Sequence, residues 1–324
     1  MSTIIGEGMI RVGLAPLKSM SHIVVGVLDL FTEIARHRHP EIEFLETDDL
    51  ADSDFDYFLS FGFGISPSKI IGRNPDVRFI SIWDDLHYHD DLTRESRMRF
   101  FETTDILLLT YQKAFLGLGE YGEFHDKSIW FPWWVPDKII ETKSENKQKN
   151  RENGILLSGR ISDSYPVRQH VRSMVDSIDG LYVHEHPGYG MRKNDSTFDF
   201  SQIHSDYIET LRNYKCCFQI GAKQPLDQYQ LAKFFEIPAS GSVLVATETP
   251  FLDELGFVPN ENFLQISVKE TMDDLQLLVK KILERDDLEK IGSEGANLVR
   301  EMHTTSRRID FITDLIIDDF TNRK

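Results

Sequence analysis

Short unbroken apolar runs punctuate the first third of the chain, and the apolar positions between them recur every three to four residues. Met9–Leu14 (MIRVGL) is the first run and predicts a short buried strand. Residues 23–37 (IVVGVLDLFTEIARH) follow with helical spacing. Glu41–Leu45, Asp56–Ser60, Arg78–Ile82 and Asp105–Thr110 predict four further strands. Strands this apolar are covered on both faces, which indicates a parallel sheet between layers of helix.

The pattern breaks at residues 131–154. Phe131–Pro136 (FPWWVP) is rich in proline and aromatics, and Glu141–Gly154 (ETKSENKQKNRENG) is polar and almost free of apolar residues, as in a linker. It then restarts. Gly154–Ser158, Leu181–His184, Cys216–Ile220, Ser242–Thr247 and Phe263–Ile266 predict a second set of strands. Ser267 and Glu270 have capping-box spacing and predict a helix start near 267. Leu275, Leu278, Val279, Ile282 and Leu283 continue it as an apolar stripe. The expected organisation is an N-terminal α/β domain over 1–135, a linker over 136–153 and a second α/β domain over 154–305. A final helix over 306–324 is expected to return to the first domain. Two such domains facing each other make a cleft, and open parallel sheets bind ligands at the carboxyl ends of their strands.

The chain has 324 residues, enough for two cores, and a formal net charge of -17. That field repels nucleic acid and anionic lipid as main partners, yet a few local cations and backbone N–H groups still suffice to hold one small anion. Cys216 and Cys217 are adjacent in an apolar run, which predicts free core thiols and a reducing, cytoplasmic setting. No run reaches 18 apolar residues and no leader pattern is present, so no integral membrane segment is expected. No Gly-x-Gly-x-x-Gly follows the first strand, Gly62-Phe63-Gly64 being too little, and no phosphate-binding Gly-x-x-x-x-Gly-Lys is found; hydride and ATP-phosphoryl transfer are disfavoured.

Lys233–Thr247 (KFFEIPASGSVLVAT) closely resembles the C-terminal domain of retaining GT-B glycosyltransferases, where a Glu, a turn of small residues and a Gly precede an apolar strand. Leu156–Arg168 (LLSGRISDSYPVR) resembles the opening of that domain, and Thr249–Leu255, Phe263–Val268 and His303–Ile309 resemble its later segments. The resemblance spans about residues 154–317; over 1–150 it is only architectural. It implies two Rossmann-like domains facing an interdomain cleft. It also implies transfer of a sugar from a nucleoside diphosphate sugar, UDP- or GDP-linked, to a hydroxyl of a glycan, lipid or protein, with retention and without a metal or other cofactor.

The same resemblance assigns residues. Glu236 would accept hydrogen bonds from the donor ribose hydroxyls, for which a carboxylate is suited. As a plain helix-start Glu it would instead favour the helix dipole. Arg160, after Gly159, would contact the diphosphate and stabilise leaving-group charge. Arg168 is a second contact or a surface helix Arg. Lys233, one turn before Glu236, competes with Lys223 as the partnering lysine. Ser240 and Gly241 would let a ligand approach the backbone. Many members carry a second Glu eight positions earlier; here that position is Gln228, with Asp227 beside it, so the contacts to the sugar carry over less well.

Residues 83–90 (WDDLHYHD) follow a strand in the first half. Asp85 with Asp84 would bind acceptor hydroxyls, and His87 or His89 would position a proton; a solvated acidic loop is the plainer alternative. Ser19, Ser21 and His22 could also face the cleft. His184 and His186 lack the further ligands a metal needs. Trp130, Trp133 and Trp134 fit hinge packing better than sugar stacking. Two rivals stand beside an active transferase. One is a GT-B module that binds a glycan or nucleotide sugar without catalysis, and the other is a two-domain sugar isomerase or epimerase.

Overall fold

The computed structural model describes residues 8–15, 25–47, 54–62, 74–83, 91–113, 121–140, 151–163, 165–185, 200–220, 229–267 and 271–323. It divides into two units. Unit 1 comprises Met1–Pro132 with Thr305–Lys324, and unit 2 comprises Trp133–Thr304.

Unit 1 is built on six parallel strands in the order β2-β1-β3-β4-β5-β6. They are β1 (Ile10–Leu14), β2 (Ile42–Glu46), β3 (Tyr57–Phe61), β4 (Arg78–Trp83), β5 (Ile106–Leu109) and β6 (Ser128–Trp130). Central β3 and β5 are buried at every position, as strands covered on both faces must be. One face carries an aromatic core of Phe58, Phe79, Phe100, Phe101 and Trp83, whose rings meet largely edge to face. Phe100 and Phe101 come from helix α2 (Asp91–Thr103). Helix α1 (Val25–Arg36) buries Val27, Leu30 and Ile34.

The last helix of the chain, following α3–α8 below, is α9 (Thr305–Arg323), which belongs to unit 1 and packs on α1. Thr305 donates to Asp29 Oδ2 at 2.8 Å, and the Tyr57 hydroxyl donates to Asp319 Oδ2 at 2.6 Å. Ile312 and Ile316 are fully buried. Ile312→Ala is therefore expected to cost unit 1 about 2–5 kcal/mol, the transfer-plus-cavity price of a core aliphatic. Denaturant unfolding of the full chain followed by aromatic fluorescence measures it; no change would mean that α9 is not part of this core.

Unit 2 carries five parallel strands in the order β11-β10-β9-β7-β8. They are β7 (Glu152–Ser158), β8 (Leu181–His184), β9 (Tyr214–Gln219), β10 (Val243–Thr247) and β11 (Leu264–Ile266). Helices α3 (Asp137–Ile140), α4 (Pro166–Met174), α5 (Phe200–Arg212), α6 (Lys233–Ala239), α7 (Met272–Leu283) and α8 (Leu288–Met302) complete it. Cys216 and Cys217 are free, buried residues of β9. Read from β7 outward, the chain adds β8 on one side and then β9, β10 and β11 on the other. This order reverses between β7 and β9, and such a switch point opens a crevice outside the carboxyl ends of the two strands.

Three local expectations are corrected. Helix α7 is capped by Thr271, whose Oγ1 accepts from the Asp274 backbone N–H at 3.2 Å, so the capping pair lies four residues beyond Ser267. Glu152 and Asn153 of the polar run already belong to β7, where their side chains are exposed at the strand entry. Asp137–Ile140, inside the stretch read as linker, forms a helical turn that buries Ile139 and Ile140 in unit 2. Trp133 and Trp134 are likewise buried there, their rings 5.5 Å apart. Among the described residues no helix is long and apolar enough to cross a membrane.

Candidate functional site

The switch point of unit 2 gathers cations. β7 ends at Ser158, and Gly159 turns the chain with φ +102°, a conformation that glycine adopts without strain. The following helix, α4, starts at Pro166 and returns Arg168 to the strand ends. Arg168 is buried; its Nη1 donates to the carbonyl of Arg160 at 2.9 Å and its Nη2 to that of Ile220 at 3.4 Å. One guanidinium thus ties the chain leaving β7 to the chain leaving β9, with the Tyr165 ring 4.1 Å from its centre.

Lys233, at the start of α6, reaches the same point. A Cβ built on Gly159 would overlap Lys233 Nζ and lie 2.9 Å from Arg168 Nη1. Glycine suits this φ, and a Cβ here would displace the ends of Lys233 and Arg168. Among the described residues Lys233 has no hydrogen-bond or ion-pair partner; its ammonium sits 5.3 Å from the centre of the Tyr207 ring. Burial first, and the Arg168 charge second, push its pKa down to about 7, against a smaller upward pull from Glu236. Two cationic side chains converge on a glycine at a strand end, an arrangement suited to holding an anion.

One turn along α6 stands Glu236, its side chain 9% exposed, with His204 Nε2 2.9 Å from Oε1. His204 and Tyr207 lie one turn apart on α5, and the Tyr207 hydroxyl is 3.1 Å from Ser158 Oγ. Burial, then the Glu236 carboxylate, raise the Tyr207 pKa well above its ordinary value, so it stays a neutral phenol. His184, ending β8, has its ring 5.5 Å from that of Tyr207. Burial and then the Lys233 ammonium hold its pKa below the usual imidazole range. The arrangement offers two cations, a carboxylate and two imidazoles around one group of strand ends.

Three comparisons bear on this geometry. Residues 188–314 match the family model described as glycosyl transferase-like. No curated protein sequence matches the chain. Among solved structures, HepE of Anabaena in complex with UDP-glucose superposes with a TM-score of 0.60 at 9% identity, covering 96% of this chain and 100% of that one. An alpha-glucosyltransferase in complex with UDP and a 13-mer DNA gives a TM-score of 0.60 at 12% identity, with 96% and 100% covered. Sucrose-phosphate synthase of Thermosynechococcus elongatus gives 0.59 at 10% identity, with 97% and 100% covered.

The fold is GT-B. Both parallel-sheet units of this GT-B chain fall within the superposed length, and the glycosyl transferase-like segment lies mostly in the second unit and runs into α9.

Of the residues singled out from sequence, the structure brings Gly159, Arg168 and Lys233 together, with Glu236 one turn along α6 from Lys233. Arg160 adjoins them, but its side chain is exposed and its carbonyl is what meets Arg168. The guanidinium held at the strand ends is that of Arg168, which corrects the reading of Arg168 as a surface residue. Ser240 and Gly241 are not brought to this surface. Ser240 Oγ donates to the Ile237 carbonyl at 2.6 Å, and its own carbonyl accepts from Arg151 Nη2 at 2.9 Å. Gly241, with φ +79°, packs against the Arg151 guanidinium and Gly292. They precede β10 as Arg151 precedes β7, at the amino edge of the parallel sheet, opposite the switch point. A helix antiparallel to the strands separates its two ends in this way.

Asp85, His87, His89, Gln228, Asp227, Lys223, His186, Ser19, Ser21 and His22 lie outside the described residues. Among the described residues no three His, Cys, Asp or Glu side chains gather as a metal ion would require. His204, Tyr207 and Ser158 were missed from sequence. The only signal for the first two was their three-residue spacing on an amphipathic helix, which core packing explains equally well.

Proposed function

We propose that the protein transfers a sugar from a nucleoside diphosphate sugar to a hydroxyl acceptor, using the switch point of unit 2 as its diphosphate site. The observation that carries this reading is the convergence of Lys233 and Arg168 on Gly159. The resemblance of residues 154–317 to retaining GT-B transferases supports it, as does the UDP or UDP-glucose named in several of the superposed structures. UDP is accordingly the first nucleotide to expect.

In this reading the pyrophosphate lies against Lys233 and Arg168, and Glu236 accepts from the ribose hydroxyls. As the bond between the sugar C1 and the β-phosphate oxygen breaks, its electron pair passes to that oxygen. The two fixed cations stabilise the growing charge more than they stabilise the bound donor. The acceptor oxygen bonds to C1 from the same face and its proton passes to the departing phosphate, so configuration is retained. Positive charge supplied by side chains in this position suits a metal-independent transfer.

Incubation with a panel of labelled nucleoside diphosphate sugars and hydroxyl acceptors tests this. Transfer, with release of nucleoside diphosphate, is the expected result, and UDP should raise the Tm by mass action. Saturable UDP binding with no turnover of any donor would establish the binding-module alternative instead. Isomerised sugar nucleotide without an acceptor would establish the isomerase.

A further inference from the structure

Helices α5 and α6 face each other through two matched pairs. His204 and Tyr207 stand three residues apart on α5; Glu236 and Lys233 stand three residues apart on α6. His204 Nε2 meets Glu236 Oε1 at 2.9 Å, and the Tyr207 ring lies 5.3 Å from Lys233 Nζ. Residues at this spacing share one helix face, so a single turn of α5 backs a single turn of α6. Ser158, at the end of β7, fixes the Tyr207 hydroxyl from the strand side.

We propose that His204 is a positioning residue that sets the Glu236 carboxylate for a cis-diol, and that it thereby makes the site selective for ribonucleotides. This rests on the nucleotide-sugar reading above. A glutamate side chain has several rotamers and a broad terminal torsion. The bond to His204 takes one lone pair of Oε1 and fixes the plane of the carboxylate. Oε2 and the remaining lone pair of Oε1 stay as two acceptors side by side, the spacing that two vicinal hydroxyls require. Without His204 the carboxylate is free to swing toward the Lys233 ammonium, whose charge it already feels. It would then accept from at most one hydroxyl. Tyr207 acts on the other pair, holding the Lys233 ammonium over its ring face while remaining a neutral phenol.

The test is calorimetric binding of UDP and of 2′-deoxy-UDP to the full chain. The wild-type protein is expected to prefer the ribonucleotide by about tenfold or more, the worth of a hydrogen bond to a charged acceptor. His204→Leu removes the bond to Glu236, and the preference is expected to collapse to within about twofold. His204→Asn, whose amide falls short of Glu236, should behave as His204→Leu does and guards against a Leu variant that does not fold. His204→Gln carries an amide N–H at nearly the reach of Nε2 and should restore most of the preference. A purely structural histidine would lower the Tm and the affinity for both nucleotides alike, leaving their ratio intact. That result, or a wild-type protein that binds UDP without preferring it to the deoxy form, would overturn the inference while leaving the proposed function standing. A wild-type protein that binds no nucleoside diphosphate would overturn the proposed function itself.

Discussion

Replacing Lys233 by methionine is expected to lower kcat/KM for the donor by about 10²–10³-fold, the loss seen when one preorganised group is removed from a developing anion. The same change is expected to raise the Tm at pH 7. The ammonium is desolvated beside Arg168 and lacks an ion-pair partner among the described residues, so the folded state disfavours its charge, and its pKa falls to about 7. The sign follows from linkage. A lysine that binds its proton less tightly when folded costs stability below pH 7, and that cost fades as pH rises toward the unfolded value. The gain in Tm on going to methionine should therefore be greatest near or below pH 7 and small by pH 10. Activity has the opposite dependence. An anionic diphosphate stabilises the ammonium, so donor binding takes up a proton and affinity falls as pH rises above about 7. Steady-state kinetics and thermal melts across pH 6–10 measure both. A variant that keeps its turnover, or loses stability at neutral pH, would remove Lys233 from the proposed site.

Arg168→Ala is expected to act on activity and stability together. Donor kcat/KM should fall by roughly 10²–10³-fold for the same electrostatic reason. Arg168 also donates to the carbonyls of Arg160 and Ile220, so the ends of β7 and β9 lose their common tie. Hydrogen bonds from a charged donor contribute about 1.5–3 kcal/mol each, and leaving the buried Ile220 carbonyl without one adds to the loss. At about 2–4 °C per kcal/mol for a unit of this size, the Tm should fall by roughly 6 °C or more. Arg160→Ala is the internal comparison. Its exposed side chain takes no part in that tie, so the melt should be nearly unchanged. If Arg160→Ala instead reproduces the loss of stability, the strand ends are held by something other than the Arg168 guanidinium.

Arg168 and Arg160 also show where sequence reasoning stopped. Both follow the same strand, and their spacing places one on the loop and one on the helix. Nothing in the sequence indicates which guanidinium folds inward, because that depends on β9, which is brought beside β7 by the strand order alone. Ser240 and Gly241 failed for a related reason. They sit next to Glu236 in the chain, but a seven-residue helix is long enough to carry its two ends to opposite edges of the sheet. Lys233 was left undecided against Lys223, and its contact with Gly159 is what brings it to the switch point.

The strands were legible because their signal is local: a buried strand must be apolar at consecutive positions, and a parallel sheet makes every central strand of that kind. The α/β class followed from this pattern; the break expected within 131–154 falls at its start, between Pro132 and Trp133. Helix α2 gave no comparable signal, since its apolar stripe is interrupted by charges. The pairing of His204 with Glu236 and of Tyr207 with Lys233 joins residues about thirty positions apart. Only the packing of α5 on α6 decides such pairs, because hydrogen bonds between side chains depend on angstrom-scale distances that residue order does not encode.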